Sequence, residues 1–505
     1  MRWKAIGALA VLLALAGTTA TGADLVSAAE AGDTAAVRAQ LGSGANVNAA
    51  DSDGTTALHW AAYLGNLDMA QALVTAGADA SARNAYGVQP ISLASGSGSG
   101  ELVKLLLEAG ADANVVRDGG ETALMTAART GNSEAVEALL ARGADPNATE
   151  RNAQTALMWA SAEGHEQVVK ALIAGGADLK ATLDSGFNPF FFAVREGHAD
   201  VARALMAAGY DVNEVLHRRS RPQYQHADSG MSPLIMAIEN GHFELAVALL
   251  EAGADPNEER TGYTPLHTIT WVRKPKNSDY GSDPAPEGSG NLSSLQFVRA
   301  LVAMGADVNR GLANGKSIAP KINIQGATPF LFAADKADVP LMKTLLDLGA
   351  DPMLPNVEGT TPLMAAAGLG TTAPLEEAGT EQEAYEATKL LLSLGADIHA
   401  VDSNGETVMH GAAYGSFPTV IHLLAESGAD PGLWKRPNKH GWTPLFIAEG
   451  YRPGNFKPAP LVIATLEQLM GAEGISTEGP RPRHVGTYEK ARLARRQVKI
   501  DPRQP

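Results

Sequence analysis

The stretch TALHWAAYLGNLDMAQALVTAGADA, residues 56–80, decides the fold because it returns in altered form along the chain of 505 residues. The closing glycines of the first copies lie 33 residues apart, at Gly44, Gly77, Gly110, Gly143, Gly176 and Gly209. Later copies are spaced less evenly and close at Gly253, Gly305, Gly349, Gly395, Gly428 and, in degenerate form, Gly471. Such a period predicts a repeat protein of about twelve stacked copies rather than several separate cores.

Each repeat predicts two short helices. A capping residue before Pro, as in Thr264-Pro265, is typical of a helix start, because the first residue caps free amides and Pro suits the first helical position. A glycine such as Gly164 then ends the first helix. The second helix carries an apolar stripe that includes Val168 and Leu172. One such pair cannot bury its apolar face alone, so we expect neighbouring repeats to stack.

The repeat resembles the ankyrin repeat. GTTALHWAA (54–62), GYTPLH (262–267) and EGHEQVVKALIAGGADL (163–179) match its turn, helix start, bend and closing turn. The resemblance covers roughly residues 24–476. It implies an all-α repeat solenoid of about twelve helix-turn-helix units joined by β-hairpin fingers, with a concave face that binds other proteins. The sequence departs from the pattern at Ala337, which stands where the bend glycine is expected, and in its shortened first and stretched last repeats.

The arrangement of whole repeats is also similar to that of a group of exported bacterial ankyrin-repeat proteins. Members of that group share ends like GWTPLFIAEGYRPG (441–454) and insertions like DPAPEGSGNLSSLQFVRALV (283–302). This resemblance bears on the fold more than on the biochemical role.

The first 23 residues predict a signal peptide. Arg2 and Lys4 precede an apolar run over residues 5–16, and the small residues TTATGA follow, so cleavage after either Ala20 or Ala23 fits. The apolar run is too short to span a bilayer, which takes roughly 20 residues. We therefore expect an exported chain, periplasmic or secreted, without a membrane span.

Composition excludes several classes of function. The chain has no cysteine, which excludes disulfides, thiolate metal sites and thiol catalysis. Its formal charge of −16, or −18 once Arg2 and Lys4 are removed, argues against a nucleic-acid partner. Residues 477–505 nevertheless form a basic C-terminal tail, and whether this tail caps the repeats or binds a partner stays open.

The repeat is broken by insertions near residues 214–229, 273–293, 310–325 and 370–384. The first and third lengthen two fingers, and the other two fall between the helices of a pair. The long fingers contain HRRSRPQYQHA (217–227) and RGLANGKSIAPKINIQ, neither of which has an acidic residue. Two interpretations stay open: neutral drift of surface loops, or attraction of an acidic partner. The second interpretation predicts partner contacts at Arg218, Arg219, Arg221, Tyr224, Arg310, Lys316 and Lys321.

Aromatic residues recur at one position of the first helix, at Trp60, Trp159, Phe192 and Phe332. Packing between stacked repeats is one explanation. The other is an aromatic lining of the concave face, since Trp and Tyr are enriched in binding hot spots. On that view Trp60, Trp159 and Phe192 are predicted partner contacts.

No constellation for catalysis emerges. The segment GLANGKS (311–317) is one residue short of a phosphate loop. The carboxylates at Asp79 and Asp112 belong to separate turns one repeat apart and do not form an acid-base pair. The repeat itself explains six histidines, which lie at helix starts or bends: His59, His267, His410, His165, His198 and His242. His217 and His226 on the first long finger offer only a weak metal possibility. The sequence predicts no catalytic residue, metal or cofactor.

The sequence thus predicts an exported, non-enzymatic protein-protein interaction scaffold whose partner is another protein with an acidic surface. Its concave surface is ordered before binding, so little entropy is lost in the complex. The alternative is a receptor for an anionic envelope polymer or glycan, bound through the basic fingers.

Overall fold

The fold is known from a computed structural model, which describes residues 22–216, 230–275, 277–278, 281–282, 285–313, 322–372, 374, 379–452, 457–478 and 481. These residues contain twenty-four α-helices in twelve successive pairs. The chain divides between Tyr210 and Asp211 into two compact units, here the N-terminal and the C-terminal unit, with six pairs each. The predicted all-α repeat solenoid is confirmed.

The helices of the N-terminal unit are α1 (Gly22–Glu30), α2 (Thr34–Gly42), α3 (Ala57–Tyr63), α4 (Leu67–Thr75), α5 (Pro90–Gly96), α6 (Gly100–Glu108), α7 (Ala123–Thr130), α8 (Ser133–Ala141), α9 (Ala156–Ala162), α10 (Glu166–Ala174), α11 (Pro189–Glu196) and α12 (Ala199–Ala207).

The helices of the C-terminal unit are α13 (Pro233–Glu239), α14 (Phe243–Glu251), α15 (Pro265–Arg273), α16 (Ser294–Ala303), α17 (Pro329–Asp335), α18 (Val339–Asp347), α19 (Pro362–Ala366), α20 (Glu381–Ser393), α21 (Val408–Gly415), α22 (Pro418–Glu426), α23 (Pro444–Ala448) and α24 (Pro460–Ala472). Between α15 and α16 lie two short antiparallel strands, β1 (Asn277–Ser278) and β2 (Gly281–Ser282). None of the helices in the described ranges is long and apolar enough to cross a membrane.

The helix starts are capped as the sequence predicts. The Thr155 hydroxyl accepts a hydrogen bond from the Met158 amide at 3.3 Å, which satisfies one of the free donors in the first turn of α9. First helices other than α15 end in a left-handed residue, such as Gly131 with φ of 77°. Ala337 adopts the same conformation with φ of 49°. The bend is therefore kept although alanine replaces the expected glycine.

Helix pairs are held together mainly by their neighbours. In each unit, first helices pack on the first helices of adjacent pairs, as α7 does on α9, and second helices pack on second helices, as α8 does on α10. The core between them is built from small and branched side chains, such as Ala127, Ala160, Val169 and Leu172, all fully buried. Each interface therefore depends on two repeats at once.

Asparagines join successive turns in a ladder. The Asn147 amide donates to the Gly176 carbonyl at 3.1 Å, and its oxygen accepts from the Asp178 amide at 2.7 Å. Asn257 makes the same two bonds to the next turn, with Gly305 and Asp307, both at 2.7 Å. The recurring aspartates accept from their own turns, in line with the turn role predicted for them.

The connections between pairs are turns in which isolated antiparallel bridges occur, for example between Val116 and Thr122 and between Leu216 and Met231. Regular strands of the described chain lie instead inside the insertion between α15 and α16.

Candidate functional site

The aromatic residues predicted as partner contacts differ in exposure. Trp60 on α3 and Trp159 on α9 are half-buried. The ring of Trp159 also lies under the Arg129 guanidinium, 5.7 Å from its carbon. Phe192 on α11 is only 8% exposed and packs beside Phe187 at 5.3 Å, so its ring serves mainly the interior. The two tryptophans therefore offer more surface to a partner than Phe192 does.

An exposed tyrosine accompanies Trp60, and sequence reasoning missed it. Tyr63 is 62% exposed, and its ring meets the Trp60 ring edge-on with centroids 5.9 Å apart. The sequence could have indicated this pair, because residues three apart on a helix share a face. Tyr86, in the turn before α5, is also exposed.

Of the predicted basic finger contacts, Arg310 lies among the described residues. Arg310 forms an ion pair with Glu259 at 3.5 Å and keeps 41% of its side chain exposed. The other predicted finger residues, and the histidines of the first long finger, lie outside the described residues: Arg218, Arg219, Arg221, Tyr224, Lys316, Lys321, His217 and His226.

The histidines at helix starts have structural roles, as predicted. In His267, Nδ1 lies 2.7 Å from the hydroxyl of its capping residue Thr264, and Nε2 donates to the Ala327 carbonyl of the following repeat at 3.0 Å. Burial lowers the pKa of His267 to about 4, and the pKa of His410 likewise to about 4. These neutral rings connect repeats. In the described ranges, no group of histidine and carboxylate side chains could hold a metal ion.

Three of the insertions meet in the C-terminal unit. Lys274, directly after α15, donates to Glu383 of α20 at 2.6 Å. This ion pair joins the insertions on either side of α17 and α18. At the start of the fourth insertion, a side chain at Gly370 would come within 2.9 Å of Ile322, which lies in the second long finger. These three departures from the repeat period are thus neighbours in space.

A pocket of about 440 Å³ lies where these insertions meet. Its walls are mainly aromatic and aliphatic, formed by Tyr263, Trp271, Ile322, Ile324, Leu331 and Phe332.

The aromatic wall of this pocket is well ordered by packing. The Tyr263 ring lies edge-on to Trp271 at 4.8 Å and to Phe332 at 6.1 Å. Ile322 and Phe332 pack against the buried cluster that includes Leu331. Phe332 and the long finger stand out in the sequence, whereas the pocket does not, because only folding brings Trp271 and Ile322 together.

Three residues of the basic tail, Thr477, Glu478 and Arg481, lie among the described residues. The Arg481 guanidinium donates to both carboxylate oxygens of Glu449, at 2.6 and 2.8 Å, and stacks over the Phe446 ring at 4.9 Å. The start of the tail therefore contacts the last helix pair. The tail beyond Arg481 lies outside the described residues.

Comparison with known families explains the architecture. The sequence pattern of ankyrin repeats in three copies matches residues 25–117, 76–150, 124–216 and 375–457, and a single ankyrin repeat matches residues 229–260. The chain belongs to the ankyrin-repeat family. Ankyrin repeats typically act as protein-protein interaction scaffolds, and nothing in the ankyrin matches points to catalysis.

Similar curated proteins are also ankyrin proteins. Over 161 residues the chain is 31% identical to ankyrin repeat and SOCS box protein 6 of Homo sapiens, covering 31% of this chain and 32% of that protein. The protein of the same name from Pongo abelii matches to the same extent. The chain thus spans about a third of the length of these relatives. Neither relative bears on the resemblance to exported bacterial proteins, which stays a prediction.

Proposed function

We propose that the protein is an exported, non-enzymatic scaffold that binds another protein with an acidic surface. The observation that carries the proposal is that polar and aromatic side chains have different roles. Polar groups such as the buried His267 and the exposed Asn147 are used to join repeats, whereas Trp60 and Tyr63 form an aromatic pair that stays open to solvent. Trp and Tyr are enriched among the residues that contribute most of the binding energy at protein interfaces.

Charge supports the choice of an acidic partner. The protein is acidic overall, so an acidic surface is repelled over most of the chain and attracted at the finger segments without acidic residues. Arg218, Arg219 and Arg221 would accelerate association with such a surface, in a manner that salt weakens. Arg310 contributes less, because Glu259 already neutralises part of its charge.

The test is a charge reversal in the full mature chain. The variant carries Arg218→Glu, Arg219→Glu and Arg221→Glu. Its matched control reverses three exposed basic residues of the N-terminal unit, at Arg38, Lys170 and Arg203. The captured partner from the native envelope is identified and purified, and its association rate is measured at several salt concentrations.

We expect the finger variant to associate more slowly and with a weaker salt dependence than the control, with folding unchanged in both. Equal rates for the two variants would contradict the finger site. Retention of an anionic polymer or glycan, without any saturable protein partner, would support the receptor alternative instead.

A further inference from the structure

The pocket of the C-terminal unit has no counterpart in a regular repeat. Trp271 lies in the last turn of α15, which leads into the first inter-helix insertion. Ile322 and Ile324 belong to the lengthened finger, and Gly370 belongs to the second inter-helix insertion. Three separate departures from the repeat period therefore build one cavity.

We propose that this pocket binds a neutral, largely aromatic small molecule that carries one hydrogen-bond-accepting oxygen. Small-molecule pockets measure roughly 300–1,000 Å³ and combine apolar walls with a few polar groups. The cavity of about 440 Å³ lies within that range. This binding site is separate from the protein-binding role proposed above.

Size distinguishes a small molecule from a single side chain. An apolar cavity of about 150 Å³ already holds one benzene ring, and this pocket has about three times that volume. One aromatic side chain of a partner would leave most of the pocket unfilled, whereas a molecule of roughly two to three rings would fill it.

Two hydrogen-bond donors in the pocket wall indicate which polar group the ligand carries. Among the described residues, the Tyr263 hydroxyl and the Trp271 indole N–H have no hydrogen-bond partner, and both side chains line the pocket. The indole N–H can only donate. A ligand oxygen that accepts from these groups would supply the partner that the protein does not.

The charges at the rim favour a neutral ligand. Among the described residues of the wall, Asp335 and Lys336 carry charges, and they pair with each other at 2.9 Å. Their charges compensate, so neither an anion nor a cation gains a full opposite charge. An ionised ligand would also lose its hydration against the apolar walls.

The test uses the full chain and the fluorescent dye Prodan, a neutral dimethylaminonaphthalene with one ketone oxygen. Its emission shifts to the blue when the dye enters an apolar site. Dimethylaminonaphthalene without the ketone is the matched ligand. Ile324→Trp fills the pocket, and Leu461→Trp adds the same indole at an exposed position of α24 as its control. Tyr263→Phe and Trp271→Phe remove the donors but keep aromatic rings.

We expect saturable binding of Prodan to the unaltered chain and to Leu461→Trp, and a loss of affinity of more than tenfold in Ile324→Trp. The two donor variants should weaken Prodan by roughly three- to tenfold, the range of one neutral hydrogen bond, and leave the ketone-free ligand unchanged.

Three results would overturn the inference. Absence of saturable binding, or binding that Ile324→Trp leaves intact, would exclude the pocket as the site. Equal losses for both ligands in the donor variants would remove the oxygen acceptor from the proposal. Displacement of Prodan by the protein partner identified above would assign the pocket to a side chain of that partner.

Discussion

Individual polar residues in this protein serve the junctions between repeats. His410 accepts at Nδ1 from the Thr407 amide at 3.1 Å and donates from Nε2 to the Trp442 carbonyl of the next repeat at 3.2 Å. One ring thus caps its own helix and ties it to its neighbour. Only the neutral form makes both bonds, which agrees with the low pKa that burial imposes.

A buried carboxyl lies beside this histidine. Oε1 of Glu406 accepts from Asn438 at 2.8 Å and from Tyr414 at 3.2 Å, while Oε2 has no partner among the described residues and lies 4.0 Å from His410. Burial, together with nearby Asp402, raises the pKa of Glu406 to about 7. The protonated form is therefore favoured in the folded chain up to neutral pH.

This raised pKa predicts a pH-dependent effect of Glu406→Gln. Its value of about 7 exceeds the ordinary 4.5, so the stability linked to the protonated carboxyl is fully present below pH 4.5 and is lost as the pH rises through 7. Glutamine stays neutral. Its advantage in free energy of unfolding should grow by up to about 3 kcal/mol between pH 4.5 and pH 8, measured by urea denaturation. Glu426→Gln, at an exposed site on α22, is the control; a parallel pH response in both variants would refute the assignment.

At the scale of elements, a helix is stable here because of the helices beside it. The second helix α10 packs against its own partner α9 and against the second helices α8 and α12 of the adjacent pairs. Helices of nine residues are marginal alone in water. Most of the stabilisation of α10 must therefore come from the apolar stripe that it buries against these neighbours.

Leu172→Ala tests this dependence. Leu172 is fully buried in α10, so its truncation should cost about 2–5 kcal/mol. Amide hydrogen exchange should accelerate first in α8, α9 and α12 and later in more distant helices. Gln167→Ala, at an exposed position of the same helix, should change little. Acceleration confined to α10, or spread evenly through the N-terminal unit, would argue against the stacked arrangement.

At the scale of the whole molecule, the two compact units differ in regularity. The N-terminal unit keeps the 33-residue period, whereas the four insertions all belong to the C-terminal unit. Repeats tolerate insertions at their loops because the packed helices between them are unaffected. The irregular segments are thus concentrated in the C-terminal unit, and the pocket lies among them.

The proposed export of the chain predicts where the mature protein begins. The buried side chains of α1 are Leu25, Val26 and Ala29, which all follow both cleavage positions, so processing after Ala20 or Ala23 leaves this packing intact. Mass spectrometry of the protein secreted from its native host should show a first residue at 21 or 24. An intact Met1 in the mature product would refute the signal peptide.

Local pattern alone was enough to predict the repeat architecture. Helix starts such as Thr155, bends such as Gly131 and the closing glycines depend on residues within a few positions of each other, so their spacing predicts the helix pairs directly. The roles of His59 and His410 followed for the same reason, because a repeated position implies a repeated contact.

The candidate binding sites depended on contacts between distant segments. The pocket joins Trp271, Ile322 and Gly370, which no local pattern relates, since the insertions have no period from which to infer a neighbour. The different exposures of Trp60 and Phe192, which occupy equivalent positions, also arise from the side chains packed around each ring. The periodic part of the sequence thus determines how the repeats stack. The irregular segments form a pocket only because the folded chain brings them into contact.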